Sequence, residues 1–100
     1  MNYLKGGPYY FEGFVHYKIP FCPIKRLTEK EAKARVAYFE AYFNSEGMLV
    51  VFRKYYHGQV DFADHYFYHQ SGKLERRELV KENGEKVIQY FDNNGKLIKK

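Results

Sequence analysis

The sequence is poor in the residues that would restrict it most. It has one cysteine, three prolines and no tryptophan in 100 residues. A lone Cys22 excludes an intramolecular disulfide framework and suits a reducing, cytoplasmic setting. All three prolines precede residue 24, so nothing after Pro23 interrupts a hydrogen-bonded ladder through a missing amide. The longest strongly apolar run, Met48–Phe52, is far too short to span a membrane. The opening "MNYLKGGPYYFEG" lacks the apolar stretch and small-residue site of a secretory leader. One-sign charge is scarce as well. The net charge is +5, yet Lys, Arg, Asp and Glu are mixed almost everywhere. Only Lys96, Lys99 and Lys100 gather, and the excess reads as solubility rather than as a stripe for nucleic acid.

What the chain has is aromatic rings. Tyr and Phe make up 20% of it, inside an apolar content of 45%. That is a globular composition, and rings of this kind suit a pleated, half-buried surface. The length allows a single domain, residues 1–100, with one modest core.

Along the chain, "YYFEGFVHYKI" (Tyr9–Ile19) reads as a strand or bent strand pair, with Gly13 at a bulge or turn. "PFCPIKRL" reads as irregular, because Pro20 and Pro23 each restrict the residue before them. Thr28 and Glu31 form a capping box, which starts a helix expected to reach Tyr38–Phe39. Ala32, Val36 and Phe39 would be its apolar stripe. Turn residues then divide the remainder into six strands, near 39–43, 48–56, 59–69, 73–81, 86–92 and 96–100. The expected fold class is α+β: an antiparallel meander of six to eight strands with one short helix in the N-terminal half.

Three octamers set the rhythm: "YFNSEGML" (Tyr42–Leu49), "FYHQSGKL" (Phe67–Leu74) and "YFDNNGKL" (Tyr90–Leu97). Each places Asn44, His69 or Asp92 three residues before Gly47, Gly72 or Gly95. The polar side chain opens a type I turn and the glycine takes the left-handed position of a three-residue hairpin loop. The closing pairs would be Asn44–Met48, His69–Lys73 and Asp92–Lys96. His57-Gly58 and Asn83-Gly84 read as two-residue turns. With that register both faces are partly apolar, and Asp61 would pair with Lys54 and Asp64 with Arg53. One short helix cannot cover both faces.

The octamers resemble the tyrosine–aspartate repeats of large bacterial RHS-type shell proteins, which read Tyr-Asp-x-x-Gly-x-Leu. "FDNNGKL" comes nearest; the other copies carry Asn44 and His69 in place of the aspartate. The layout as a whole, "YKIPFCPI…LTEKEA" followed by the octamers, resembles a small uncharacterised bacterial family, a domain of unknown function. That resemblance implies a fold and brings no activity or cofactor. Three copies are too few to enclose cargo as the long arrays do.

Candidate chemistry is thin. "HGQVDFADHYFYH" holds His57, His65 and His69 with Asp61 and Asp64. Residues i and i+4 on one strand lie about 13 Å apart, whereas ligands sit about 2 Å from a metal ion. No metal site is therefore expected from this segment. Cys22, with His16 as a conceivable base, sits in apolar "PFCPI" and reads as a buried packing residue. "VVFRKYYHG" interleaves rings with cations, as single-strand nucleic-acid binders do, and also as half-buried strands do. No phosphate loop, nucleophile elbow or paired Cys motif occurs. No catalytic residue, cofactor or metal is expected. The reading is a non-enzymatic contact module that pairs with itself as a homodimer or with another protein. Its contact residues would be Tyr42, Phe52, Tyr56, His65, Phe67 and Tyr90. Single-stranded nucleic-acid binding through an aromatic and basic sheet face is the second reading, a small-ligand or metal-binding enzyme-like domain using His57–His69 the third, and no membrane is involved.

Overall fold

A computed structural model describes residues 4–15 and 19–98 of the chain. Eight antiparallel strands form one sheet in the order β2-β1-β3-β4-β5-β6-β7-β8. They are β1 (Gly6–Val15), β2 (Cys22–Leu27), β3 (Ala37–Phe43), β4 (Leu49–Tyr56), β5 (Gln59–Tyr68), β6 (Leu74–Lys81), β7 (Lys86–Phe91) and β8 (Leu97–Ile98). The only helix among the described residues, α1, covers Glu29–Lys33. The α+β expectation is thus corrected to an all-β fold.

The capping box is real. Thr28 Oγ1 accepts from the Glu31 amide at 3.1 Å, and Glu31 Oε1 accepts from the Thr28 amide at 2.8 Å. The helix nonetheless stops early, because "AYFEAYF" alternates with period two and both of its ring sets find ladder partners. β3 lies between β1 and β4 and pairs along its whole length with β4. Val36, expected on the helical stripe, lies outside the helix and is 54% exposed; Phe39 belongs to β3.

The "PFCPIKRL" expectation fails in an instructive way. Residues 22–27 are strand β2, paired with β1 from Val15↔Cys22 to Tyr10↔Leu27. Pro23 is tolerated because β2 is an edge strand with no second neighbour to demand its missing amide. Cys22 is exposed there rather than buried. His16, Lys99 and Lys100 lie outside the described residues.

The three octamers turn as their spacing predicts. The amides of Asn44, His69 and Asp92 donate to Met48, Lys73 and Lys96 carbonyls at 2.8–2.9 Å. Phe43↔Leu49, Tyr68↔Leu74 and Phe91↔Leu97 then face each other. Asp92 Oδ1 accepts from the Asn94 and Lys96 amides, and those bonds hold its carboxyl below the usual range. His57-Gly58 is a two-residue turn with both φ positive, at 51° and 78°. Asn83-Gly84 is not. The Lys81 amide donates to Glu85 at 2.8 Å and that of Gly84 to Lys81 at 2.9 Å. It is a fourth loop of the octamer type, and it shifts the β6–β7 register by one residue from the expected pairing. Gly84 has φ +87° and empty space where a Cβ would stand. Gly84→Ala therefore carries only the left-handed backbone penalty, about 1–2 kcal/mol by urea denaturation.

Register shifts leave Val50, Asp61 and Glu75 as extra residues between β3 and β4, β4 and β5, and β5 and β6. They decide which side chains point inward. The inner face carries Phe39, Ala41, Phe52, Phe62, Tyr66, Leu74 and Phe91. Phe14, Ile19 and Phe21, at the ends of the β1–β2 connection, fold over it. The outer face over β1 and β3 is covered by α1: Ala32 packs on Tyr10 and Tyr38, beside Leu27 and Tyr55. Lys33 Nζ sits over the rings of Tyr10, Tyr38 and Tyr55 at 5.3–6.0 Å. Such contacts fasten the helix to the sheet. No helix among the described residues is long and apolar enough to cross a membrane.

Candidate functional site

The bulges sort the six expected contact residues. Phe52 drops to the inner face, fully buried, against Phe14, Phe21, Phe39 and Phe62. It touches no solvent and is removed from any contact surface. Tyr56 stands at the His57-Gly58 hairpin end, 51% exposed, with its ring against His57. The other four share the outer face. Register places Phe67, Arg76, Tyr90 and Ile98 side by side across β5–β8. The adjacent row runs Tyr42, Val51, His65, Glu78, Ile88. Phe67, Ile88, Tyr90 and Ile98 are exposed by 36–43% on an outer face that α1 does not reach, with the Arg76–Glu78 pair of β6 lying between Phe67 and the β7–β8 side chains. Arg76 lies over the Phe67 ring at 4.1 Å and its Nε is 3.1 Å from Glu78.

The histidine segment does not converge. His57 occupies the hairpin tip, His69 Nε2 lies 2.9 Å from the Phe91 carbonyl, and Asp61 pairs with Lys54 at 3.5 Å, as expected. His65 lies on the outer face opposite Glu78. No cluster of three metal-ligating side chains exists among the described residues. The cations of "VVFRKYYHG" are already engaged, Arg53 with Glu40 at 2.7 Å and Lys54 with Asp61.

A second feature lies on the inner face. Asp64 is fully buried and is gripped by Arg77, whose Nε lies 2.9 Å from both carboxylate oxygens and whose Nη2 is 2.8 Å from Oδ2. The Tyr66 hydroxyl donates to Asp64 at 2.8 Å and accepts from the Phe21 amide at 3.4 Å. Burial and the adjacent carboxylate push that phenol far above its ordinary range, so it stays protonated. Arg77 Nη1 donates to Gln89 Oε1 at 3.2 Å. Arg77 lines a groove of about 470 Å³ with Phe14, Phe21, Phe62, Leu79, Asp61, Lys81 and Glu82.

Asp64 was expected beside Arg53. The bulge at Asp61 turns Asp64 inward and that at Val50 turns Arg53 outward, so the two part to opposite faces. The sequence does carry a signal for the network: Asp64 interrupts the alternation Phe62, Tyr66, Tyr68. An ionised group inside an apolar stripe demands a buried cation. Which arginine answers depends on bulges that leave little trace in sequence.

No curated protein and no solved structure matches the chain. The one-sheet architecture and its repeated turns extend over nearly the whole length, and so does the match to a known family. The chain belongs to the family of unknown function DUF6156, which matches residues 5–100.

Proposed function

We propose that the chain is a non-enzymatic contact module that pairs with a second copy of itself through the outer face of β5–β8. The observation that carries this is the exposure of Phe67, Tyr90, Ile88 and Ile98 around the Arg76–Glu78 pair on one face of a single sheet. A sheet with one apolar face open lacks the second layer that stable domains require. The edges are poor alternatives. β2 carries Pro23 and a left-handed Lys25 (φ 61°), and β8 is two residues long. Charge favours a like partner. Arg76 and Glu78 stand two residues apart on β6, so a two-fold axis between them sets each against its opposite in the second copy. An exposed, lone Cys22 fits a cytoplasmic setting. The octamer "YFDNNGKL", near Tyr-Asp-x-x-Gly-x-Leu, is the reason to propose a bacterial source.

Sedimentation equilibrium tests this reading. Wild type should show a monomer–dimer equilibrium, and Ile88→Lys with Tyr90→Glu should shift it to monomer by at least about tenfold in Kd. Both side chains are exposed, so the fold should survive. A wild type that is monomeric throughout the accessible concentration range would refute the proposal.

A further inference from the structure

The inner-face groove is distinct from the pairing surface and carries its own chemistry. Its walls are rings: Phe14 near the end of β1, Phe21 just before β2 and Phe62 on β5, with Leu79 on β6. Phe14 and Phe21 lie 4.6 Å apart, centroid to centroid, and the Arg77 guanidinium is 5.4 Å from the Phe21 ring. About 470 Å³ of space falls within the range of small-molecule sites. The Phe14–Phe21 pair, in contact with itself, offers one aromatic surface to a flat ring system.

Electrostatics narrows the class. The groove's charges are paired within the fold, Lys81 with Glu85 and Asp61 with Lys54, which leaves the exposed Glu82. Arg77 is further neutralised by the fully buried Asp64 beneath it. An anion entering would lose its water and find the guanidinium already satisfied by a carboxylate; a cation would have to compete with Lys54 for Asp61 or settle for the exposed Glu82, where a water-screened pair contributes little. A neutral ligand meets neither penalty. One directional group remains. Arg77 Nη1 carries two protons; Gln89 Oε1 accepts one, and the other is the donor that a ligand's uncharged oxygen would use. The bulge that leaves Asp61 unpaired in the ladder also places it at the rim. Bulges recur where a side chain must be re-aimed beside a site.

We infer that this groove binds an uncharged, planar aromatic small molecule, its ring against the lining side chains of Phe14, Phe21 and Phe62 and its carbonyl oxygen on Arg77. The network of Asp64, Tyr66 and Gln89 positions that arginine.

Three naphthalene probes of one shape test it by amide-resolved NMR titration: 2-naphthamide, 2-naphthoate and 2-naphthylmethylammonium. The neutral amide should bind most tightly, shifting the Phe62, Leu79 and Lys81 amides and the Arg77 side-chain Nε–H. Leu79→Trp fills the groove and should weaken the amide by at least about tenfold; Leu79→Phe, a milder filling, should weaken it in the same direction. Shifts confined to the outer face, no shifts at millimolar 2-naphthamide, unchanged binding in both variants, or tighter binding of either charged probe would each overturn the inference. Adding Ile88→Lys and Tyr90→Glu should leave this binding unaltered, which separates it from self-association.

Discussion

Arg77→Met should destabilise the fold by about 3–5 kcal/mol, read by urea denaturation, because it strands a buried charge. Asp64 has no exposure, and three contacts of 2.8–2.9 Å tie it to this one guanidinium. With Arg77 gone, the carboxylate keeps the Tyr66 hydroxyl as its one hydrogen-bond partner among the described residues. Adding Asp64→Leu to Arg77→Met should recover much of the loss, since an apolar side chain between Phe52 and Leu79 suits that row of the sheet. The recovery is the discriminating part. A surface pair would give single-variant losses of about 1 kcal/mol or less and no recovery. A loss below about 1 kcal/mol for Arg77→Met would mean that Asp64 is solvated and that the groove lacks the neutral floor described here.

Phe52→Ala should lower stability by about 3–5 kcal/mol. Phe52 has no exposure and stacks on Phe39 at 5.2 Å with an interplanar angle of 6°. Phe14 and Phe21 meet it edge-on from the covering segment. The alanine would open a cavity where the sheet and its cover join, in a core too small to collapse around it. An outer-face position would behave differently: Tyr90→Ala, at 36% exposure, should cost the monomer far less. Equal small losses at both positions would show that the Val50 bulge does not exist and that Phe52 faces outward.

These two residues mark how far the sequence could be read. Turn chemistry is local, so the octamers gave up their loops, closing pairs and facing residues directly. Asn44, Asp92 and their glycines do the same tasks in any hairpin. The fourth loop, at Lys81–Glu85, was missed because "ENG" also reads as a two-residue turn, and only the ladder distinguishes them. Face assignment is not local. A bulge shifts register by one residue and exchanges inside for outside along the rest of the strand. The extra residues at Val50 and Asp61 therefore sent Phe52 into the core and separated Asp64 from Arg53. The helix was over-extended for a related reason. Its capping box is a true local signal, but the seven residues after Val36 gain more from two ladders than from continuing the helix. The proline-rich β2 was legible only with its position known, since an edge strand can spare an amide.

The proposed pairing sets the open outer face, and not an edge, against a second copy. Isotope-filtered NMR on a mixture of labelled and unlabelled chains addresses this directly. Intermolecular contacts should join Phe67, Ile88, Tyr90 and Ile98 of one copy to the same set in the other. Contacts that instead run along the β2 or β8 backbone, or none at concentrations where the dimer is expected, would contradict the account.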